Sequence, residues 1–157
     1  MSPLWEYGMN EHLLQEFKPR VYGILEWQGV ILVSHESYLD NSFCKLPGGG
    51  MELGESPSQC LCRELREELG VEPSTMEQCG VSDVLVQNRF NPSQQVIGVY
   101  YRFSVSKMDL EHINRHLHTT FSQGALRHIK REWILKEKLV DSLSFEMDRN
   151  MATILFK

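Results

Sequence analysis

The sequence predicts an α/β fold in which a mixed sheet is covered by helices on both faces. Strand-like segments precede and follow one strongly marked helix, further helical segments lie towards the C-terminus, and no repeat or linker divides the 157 residues. A chain of this length is typical of one domain with a substantial core. We therefore expect residues 1–157 to form a single domain, in which residues 1–19 form either an N-terminal arm or a short helix.

Two segments ahead of the main helix have the composition of strands. VYGILEW and VILVS, within residues 21–34, are rich in β-branched and aromatic residues, and Gln28-Gly29 supplies a turn between them. The VILVS segment is almost entirely apolar, which is typical of a strand covered on both faces. We expect a hairpin over residues 21–34, followed by a polar loop over residues 35–45.

The main helix is marked at both ends. Ser56 and Gln59 have the spacing of a capping box, and Pro57 occupies the first helical position, where its missing N–H costs no hydrogen bond. Gly70 supplies the left-handed residue that commonly follows the end of a helix. Three leucines at i, i+4 spacing form an apolar stripe that should face the core: Leu61, Leu65 and Leu69.

The rest of the chain returns to strands and then to helices. Pro73 lies in a break after the main helix, and residues 76–90 are strand-like. Residues 96–105 form the clearest strand, because apolar residues alternate along it. The remaining expected elements are a helix over residues 108–130, a short strand or turn over residues 131–139, and a closing helix over residues 145–155.

Composition restricts the classes of partner. The formal net charge of −5 argues against a nucleic-acid polymer or an anionic membrane surface as the main partner. The four cysteines lack C-x-x-C spacing, which favours reduced thiols in a cytosolic protein. We find no secretory signal pattern and no apolar run of about 20 residues, the length that spans a bilayer. We expect a cytoplasmic protein and leave open whether it forms a homodimer.

A cluster of acidic residues lies beside the apolar stripe of the main helix. Glu64, Glu67 and Glu68 are spaced i, i+3 and i+4, so that their carboxylates can converge. Like charges at this spacing destabilise a helix, and a cation such as Mg²⁺, which binds carboxylate oxygens, would offset that cost. The alternative is an ordinary solvated acidic face. A run of three glycines ahead of the helix favours a site, because glycine backbone can approach a ligand closely.

The glycine run and the acidic helix together resemble a known motif. The residues that carry the resemblance are Gly49, Glu55, Arg63, Glu64, Leu65, Glu67, Glu68, Gly70 and Val71. They match every specified position of the Nudix box, G-x5-E-x7-R-E-U-x-E-E-x-G-U, in which U is a bulky aliphatic residue. The box occupies residues 49–71 with unbroken spacing.

The resemblance to the Nudix (MutT-like) family implies both a fold and a reaction. The implied fold is the Nudix-type α/β/α sandwich with a mixed central sheet. The implied activity is divalent-metal-dependent hydrolysis of a phosphoanhydride bond in a nucleoside diphosphate linked to another moiety, so that the partner is a small nucleotide derivative. The alternative is a catalytically silent Nudix-like module that senses a nucleotide or regulates another protein.

Transferred residue by residue, the resemblance also implies a metal site. Glu64, Glu67 and Glu68 would bind Mg²⁺ or Mn²⁺, and the backbone carbonyl of Gly48 would complete the ligand set. Arg63 would orient Glu67.

The other implied roles concern the loop and the proton transfer. Glu55 would support the loop that leads into the helix. Family members take the general base either from the box or from a later loop. Glu64 is our first choice for this base, and Glu132 and Glu111 are the candidates from the later region.

Substrate contacts are less constrained than the metal site. The resemblance implies that Gly48, Gly49 and Gly50 contact the substrate. Arg89 and Phe90 are weaker candidates, which would line a pocket for the nucleobase. No subfamily marker beyond the box occurs in this sequence, so the motif alone does not select one nucleoside diphosphate derivative.

Overall fold

The strands of the protein form two sheets. The computed structural model describes residues 13–38, 40–118, 121–122 and 127–156. The strands, in chain order, are β1 Glu16–Ile24, β2 Glu26–Trp27, β3 Val30–Tyr38, β4 Asn41–Lys45, β5 Gly48–Gly50, β6 Thr75–Val81, β7 Val86–Gln87, β8 Gln94–Ser104, β9 Phe121–Ser122 and β10 Arg127–Leu135. The helices are α1 Pro57–Leu69, α2 Lys107–Arg115, α3 Leu139–Ser142 and α4 Glu146–Phe156, with a 3-10 turn over Lys136–Lys138.

One sheet is mixed and the other is antiparallel. The mixed sheet has the order β5-β1-β8-β6, with β7 also paired to β8, and its parallel pair is β1 with β8. The antiparallel sheet has the order β2-β3-β10-β9, and β4 also pairs with β3. This arrangement of helices on a mixed sheet confirms the predicted α/β class. In the described residues, no helix has both the length and the apolar character needed to cross a bilayer.

The helices cover both faces of the mixed sheet. On one face the predicted stripe of α1 is buried against residues such as Val21 and Phe103. On the other face Met147 and Met151 of α4 pack against Tyr22 and Tyr100. Full burial of an apolar side chain of this size stabilises a fold by about 1.5–3 kcal/mol, so α1 is held in place chiefly by its leucines.

The predicted hairpin over residues 21–34 is only partly present. Gln28 and Gly29 form the expected turn, with φ of 49° and 83°, but this turn joins only β2 to β3. Strand β1 instead lies between β5 and β8 in the mixed sheet. Its residues Val21 and Tyr22 are buried in different core clusters on the two faces. A strand covered on both faces is best satisfied in the interior of a sheet.

The predicted polar loop over residues 35–45 is wrong. Strand β3 continues to Tyr38, and β4 pairs with it so that Ser34 lies opposite Lys45. The polar residues of this hairpin are partly buried, because Lys45 forms an ion pair of 3.2 Å with Glu36 inside the protein. Buried charges that compensate one another give no hydrophobic pattern, so this hairpin was missed.

The predicted helix over residues 108–130 is too long. Helix α2 ends at Arg115, and residues 127–130 belong to β10, which is a central strand of the antiparallel sheet. Along β10 the exposed His128 alternates with the buried Ile129 and Arg131. Exposed and buried side chains therefore alternate as in a strand. The sequence does not show this alternation as a hydrophobic pattern, because one of the buried residues is charged. The expected short strand or turn that follows corresponds to the end of β10 and the 3-10 turn.

Two other expectations have clear outcomes. The strand predicted over residues 96–105 is confirmed as β8, which ends one residue earlier, at Ser104, and the closing helix is confirmed as α4. Of the predicted N-terminal arm or helix, residues 1–12 lie outside the described residues, and residues 16–19 belong to β1.

Helix α4 places a carboxyl group in the core. Asp148 is fully buried, and the hydroxyl of Tyr100 donates a hydrogen bond of 2.6 Å to its Oδ1. Burial raises the pKa of Asp148 to about 6, although this hydrogen bond and the nearby charges of Lys45 and Arg20 act in the opposite direction. Since the folded protein binds the proton more tightly than the unfolded chain does, stability should fall as pH rises from 3.8 towards 6.

We therefore expect Asp148→Asn to stabilise the protein at neutral pH. The neutral amide resembles the protonated carboxyl, and a pKa shift of this size corresponds to about 3 kcal/mol in the free energy of unfolding. The gain should shrink as pH falls below 6 and vanish below 4, as measured by urea denaturation across this range. Asp141→Asn, on the exposed side of α3, is the matched control. An equal gain at pH 4 and pH 8 would contradict the charge explanation.

Candidate active site

Helix α1 has the capped ends that the sequence predicts. The Ser56 side chain accepts a hydrogen bond of 3.2 Å from the backbone N–H of Gln59, and the Gln59 side chain accepts one of 2.9 Å from the backbone N–H of Ser56. At the other end Gly70 has a left-handed φ of 68°. Together with the buried leucines, these caps set the rotation of the helix, and so they set where its glutamates point.

The structure brings the glycine run and the acidic helix together. Strand β5 pairs with β1, with Gly48 opposite Tyr22, and the backbone N–H of Gly48 donates a hydrogen bond of 3.1 Å to Oε2 of Glu68. A Cβ atom on Gly49 would lie 2.4 Å from Oε1 of Glu64, so this carboxylate packs directly on the glycine backbone. The glutamates of α1 and the bend at β5 therefore form one site.

Arg63 connects the loop to the helix. Its guanidinium donates hydrogen bonds to both carboxylate oxygens of Glu55, at 3.0 and 2.7 Å, and one of 3.0 Å to the Gly50 carbonyl. The same side chain contacts Glu64 at 3.0 Å and Glu67 at 3.4 Å. These hydrogen bonds lower the pKa of Glu55 to about 2 and keep it ionised at neutral pH. Arg63 thus holds the loop and two helix carboxylates in one arrangement.

The glutamates of the helix differ in their surroundings. The side chains of Glu64 and Glu68 are 14% and 8% exposed, whereas that of Glu67 is 47% exposed. Burial raises the pKa of Glu64, and the neighbouring charge of Glu68 raises it further, while Arg63 and Lys45 oppose the shift. A carboxylate with a raised pKa is a stronger base than an ordinary one.

Lys45 is a site residue that the sequence analysis missed. Its Nζ lies 2.9 Å from the Gly48 carbonyl oxygen and 3.2 Å from Oε1 of Glu68, and its side chain is 2% exposed. Burial lowers the pKa of Lys45, but Glu68 and Glu36 raise it by more, so the ammonium is retained. The only available signal was a lysine directly before the Leu-Pro that leads to the glycines. Because most lysines are exposed, the sequence did not distinguish Lys45 from an ordinary surface lysine.

The later candidates for the general base lie elsewhere. Glu132 is largely exposed on β10, and its carboxylate pairs with His35 at 2.8 Å. Glu111 is exposed on α2. Within the described part of the chain, no hydrogen bond or ion pair links either carboxylate to Arg63 or to the glutamates of α1.

A cavity of about 510 Å³ opens beside Lys45. Three phenylalanines from distant parts of the chain form one of its walls: Phe43, Phe90 and Phe145. The ring of Phe43 lies 5.8 Å from that of Phe90 and 5.3 Å from that of Phe145, and the Arg89 guanidinium lies 5.2 Å from the centre of the Phe145 ring. Both weaker substrate candidates from the sequence, Arg89 and Phe90, therefore line this cavity.

In this conformation the acidic side chains are turned towards cations of the protein. Arg63 and Lys45 contact them, and no three histidine, cysteine, aspartate or glutamate side chains in the described ranges converge on one point. The chemistry of the donor set still suits a hard divalent ion. It consists of carboxylate oxygens and a backbone carbonyl, the ligands that Mg²⁺ and Mn²⁺ prefer.

This chain is similar to a known protein family and to several solved structures. A family model described as the NUDIX domain matches residues 17–143. The MutT protein from Methanosarcina mazei Go1 is 18% identical, with a TM-score of 0.63 over 89% of this chain and 93% of that chain. The MutT NUDIX hydrolase from Burkholderia pseudomallei is 18% identical, with a TM-score of 0.60 over 90% and 99%. The E. coli ORF135 protein is 19% identical, with a TM-score of 0.56 over 88% of both chains. At these identities the structural likeness shows the fold.

Proposed function

The chain belongs to the Nudix family of hydrolases, which act on pyrophosphate bonds, and from this premise we propose that it is a divalent-metal-dependent nucleotide pyrophosphatase. Its substrate would be a nucleoside diphosphate linked to another moiety. The observation that carries the proposal is the contact between the glycine bend and the acidic helix, in which Gly48 bonds to Glu68 and Glu64 packs on Gly49. A single polyphosphate could therefore contact both the glycine bend and the acidic helix.

We assign the metal site to Glu64, Glu67, Glu68 and the Gly48 carbonyl. When bound, Mg²⁺ or Mn²⁺ would neutralise the diphosphate and stabilise the leaving phosphate. Arg63 holds Glu64 and Glu67 from one side and Glu55 from the other, so it would keep the ligands oriented as the loop binds substrate. Arg63 and Glu55 would thus position the metal ligands. The reaction would proceed by direct attack of water and needs no covalent intermediate between enzyme and substrate.

We assign the general base to Glu64. Its carboxylate is mostly buried on the glycine backbone, and its pKa is raised by burial and by Glu68. It would accept the proton from the water that attacks phosphorus, and its position against the glycine backbone, where the phosphates would bind, suits that role. Glu132 and Glu111 are exposed, and in the described residues neither shares a hydrogen bond or ion pair with Arg63 or the glutamates of α1, which supports this choice.

The non-reacting part of the substrate would enter the phenylalanine-lined cavity. Its aromatic wall and the neighbouring Arg89 suit a nucleobase, because rings stack on one another and on guanidinium groups. The glycines Gly48, Gly49 and Gly50 would contact the phosphates. The net charge of −5 supports a small nucleotide rather than a nucleic-acid polymer as substrate, and we retain a cytoplasmic location as part of the proposal.

A substrate panel tests this function. We expect release of a nucleoside monophosphate from at least one class among nucleoside triphosphates, nucleoside diphosphate sugars, dinucleoside polyphosphates and related compounds, and only when Mg²⁺ or Mn²⁺ is present. Chelation by EDTA should abolish the release, and added metal should restore it. Nucleotide binding without turnover on any member of the panel would instead support the silent, nucleotide-sensing module.

A further inference from the structure

We propose that the ammonium of Lys45 is a resident cation of the active site, which competes with the divalent ion for Glu68 and the Gly48 carbonyl. This inference rests on the proposed metal site, because it concerns two of the ligands assigned there. It goes beyond the Nudix box, since Lys45 lies outside the motif.

Lys45 already contacts oxygen atoms that the divalent ion would use. Four oxygen atoms surround Nζ of Lys45: the Gly48 carbonyl at 2.9 Å, Glu68 at 3.2 Å, Glu36 at 3.2 Å and the Leu46 carbonyl at 3.4 Å. Carboxylate and carbonyl oxygens are also what a hard divalent ion binds. The ammonium thus occupies a cation position made of the ligands assigned to the metal.

Several buried charged residues lie around Glu68. The side chains of Glu36 and Lys45 are 0% and 2% exposed, and Arg131 is also buried and donates a hydrogen bond to the backbone carbonyl of Glu68. The carboxylates of Glu36 and Glu68 therefore already face two buried cations, Lys45 and Arg131. A divalent ion bound to the same oxygens would lie close to the Lys45 ammonium. The two positive charges would repel each other strongly at such short range.

The antiparallel sheet fixes the backbone of Lys45, and the cavity lies beside its side chain. Lys45 ends β4 opposite Ser34 of β3, and Glu36 follows two residues later, so both charged side chains project from the same face of the sheet. Helix α1 supplies Glu68 from the other side. Lys45 also lines the cavity, with Nζ 5.9 Å from the centre of the Tyr22 ring. The cavity gives a displaced ammonium room to move without unfolding the hairpin.

Calorimetric titration with Mn²⁺ tests this competition directly. We expect Lys45→Met to bind Mn²⁺ about 10-fold more tightly than the wild type, the scale on which groups around a metal site alter its affinity, or to bind one additional ion. Lys18→Met is the matched control, since Lys18 lies beside the same glycine run at Gly50 but contacts neither Glu68 nor the Gly48 carbonyl. It should leave Mn²⁺ affinity unchanged.

A second variant controls for the possibility that Lys45→Met alone misfolds because it removes Lys45 from its buried ion pair with Glu36. Glu36→Gln combined with Lys45→Met removes the buried ion pair as a unit, which proteins often tolerate. It should also bind Mn²⁺ more tightly than the wild type. If the wild type binds Mn²⁺ and neither variant binds it more tightly, the competition is overturned while the proposed function stands. If both variants bind Mn²⁺ but the wild type neither binds it nor turns over any substrate, the competition is supported and the proposed function fails. No binding in any of the proteins would overturn both.

Discussion

Replacing Glu68 by glutamine should remove most of the metal-dependent turnover while leaving the fold intact. The substitution removes a carboxylate from the proposed metal site, and we expect kcat/KM at saturating Mg²⁺ to fall on the order of 100-fold, as when one preorganised electrostatic group is lost from an active site. The fold should persist because Lys45 keeps its ion pair with Glu36, and the glutamine oxygen can still accept a hydrogen bond from the Gly48 N–H.

The control for this prediction lies close by in the chain. Glu72 is exposed and pairs with Arg66 just beyond the end of α1, so Glu72→Gln loses the same charge outside the site. It should retain full activity. Circular dichroism and the melting temperature establish that both variants are folded. Activity of Glu68→Gln close to that of the wild type at saturating Mg²⁺ would reject Glu68 as a metal ligand.

Replacing Gly48 by alanine should destabilise the protein strongly, because this glycine lies directly against the neighbouring strand. Gly48 has a φ of 139°, which side-chain-bearing residues rarely adopt, and an added Cβ would lie 2.0 Å from the backbone oxygen of Val21. Backbone strain and overpacking together predict a loss of about 4 kcal/mol in the free energy of unfolding. Because β5 and β1 must separate to relieve the contact, the Gly48 carbonyl would also leave the proposed metal site.

The matched control for Gly48 separates strain from crowding. Gly29 has a φ of 83° in the β2–β3 turn, and nothing lies within 4 Å of an added Cβ there. Gly29→Ala therefore carries only the conformational cost, about 1 kcal/mol. Urea denaturation measures both variants. Equal losses for the two would show that the close approach of β5 to β1 contributes nothing.

Local patterns in the sequence predict helix α1, which carries the candidate active site. The capping box at Ser56, the left-handed Gly70 and the leucine stripe each act over a few residues, and all three are present in the structure. The alternation in β8 and the apolar face of α4 were equally readable. The family followed from the box, whose spacing places Arg63 and the glutamates on one helix directly after the glycines.

The burial of charged residues beside that helix depends on contacts between distant parts of the chain. Glu36 and Lys45 read as parts of a polar loop, and Arg131 as part of a short strand or turn, yet all three are buried around Glu68. The aromatic cavity likewise joins Phe43, Phe90 and Phe145, which no local pattern connects. Caps and periodicity depend on neighbours along the chain, and so a sequence displays them. A buried charge is stable only with a partner from another strand or helix, and that partner exists only once the chain has folded.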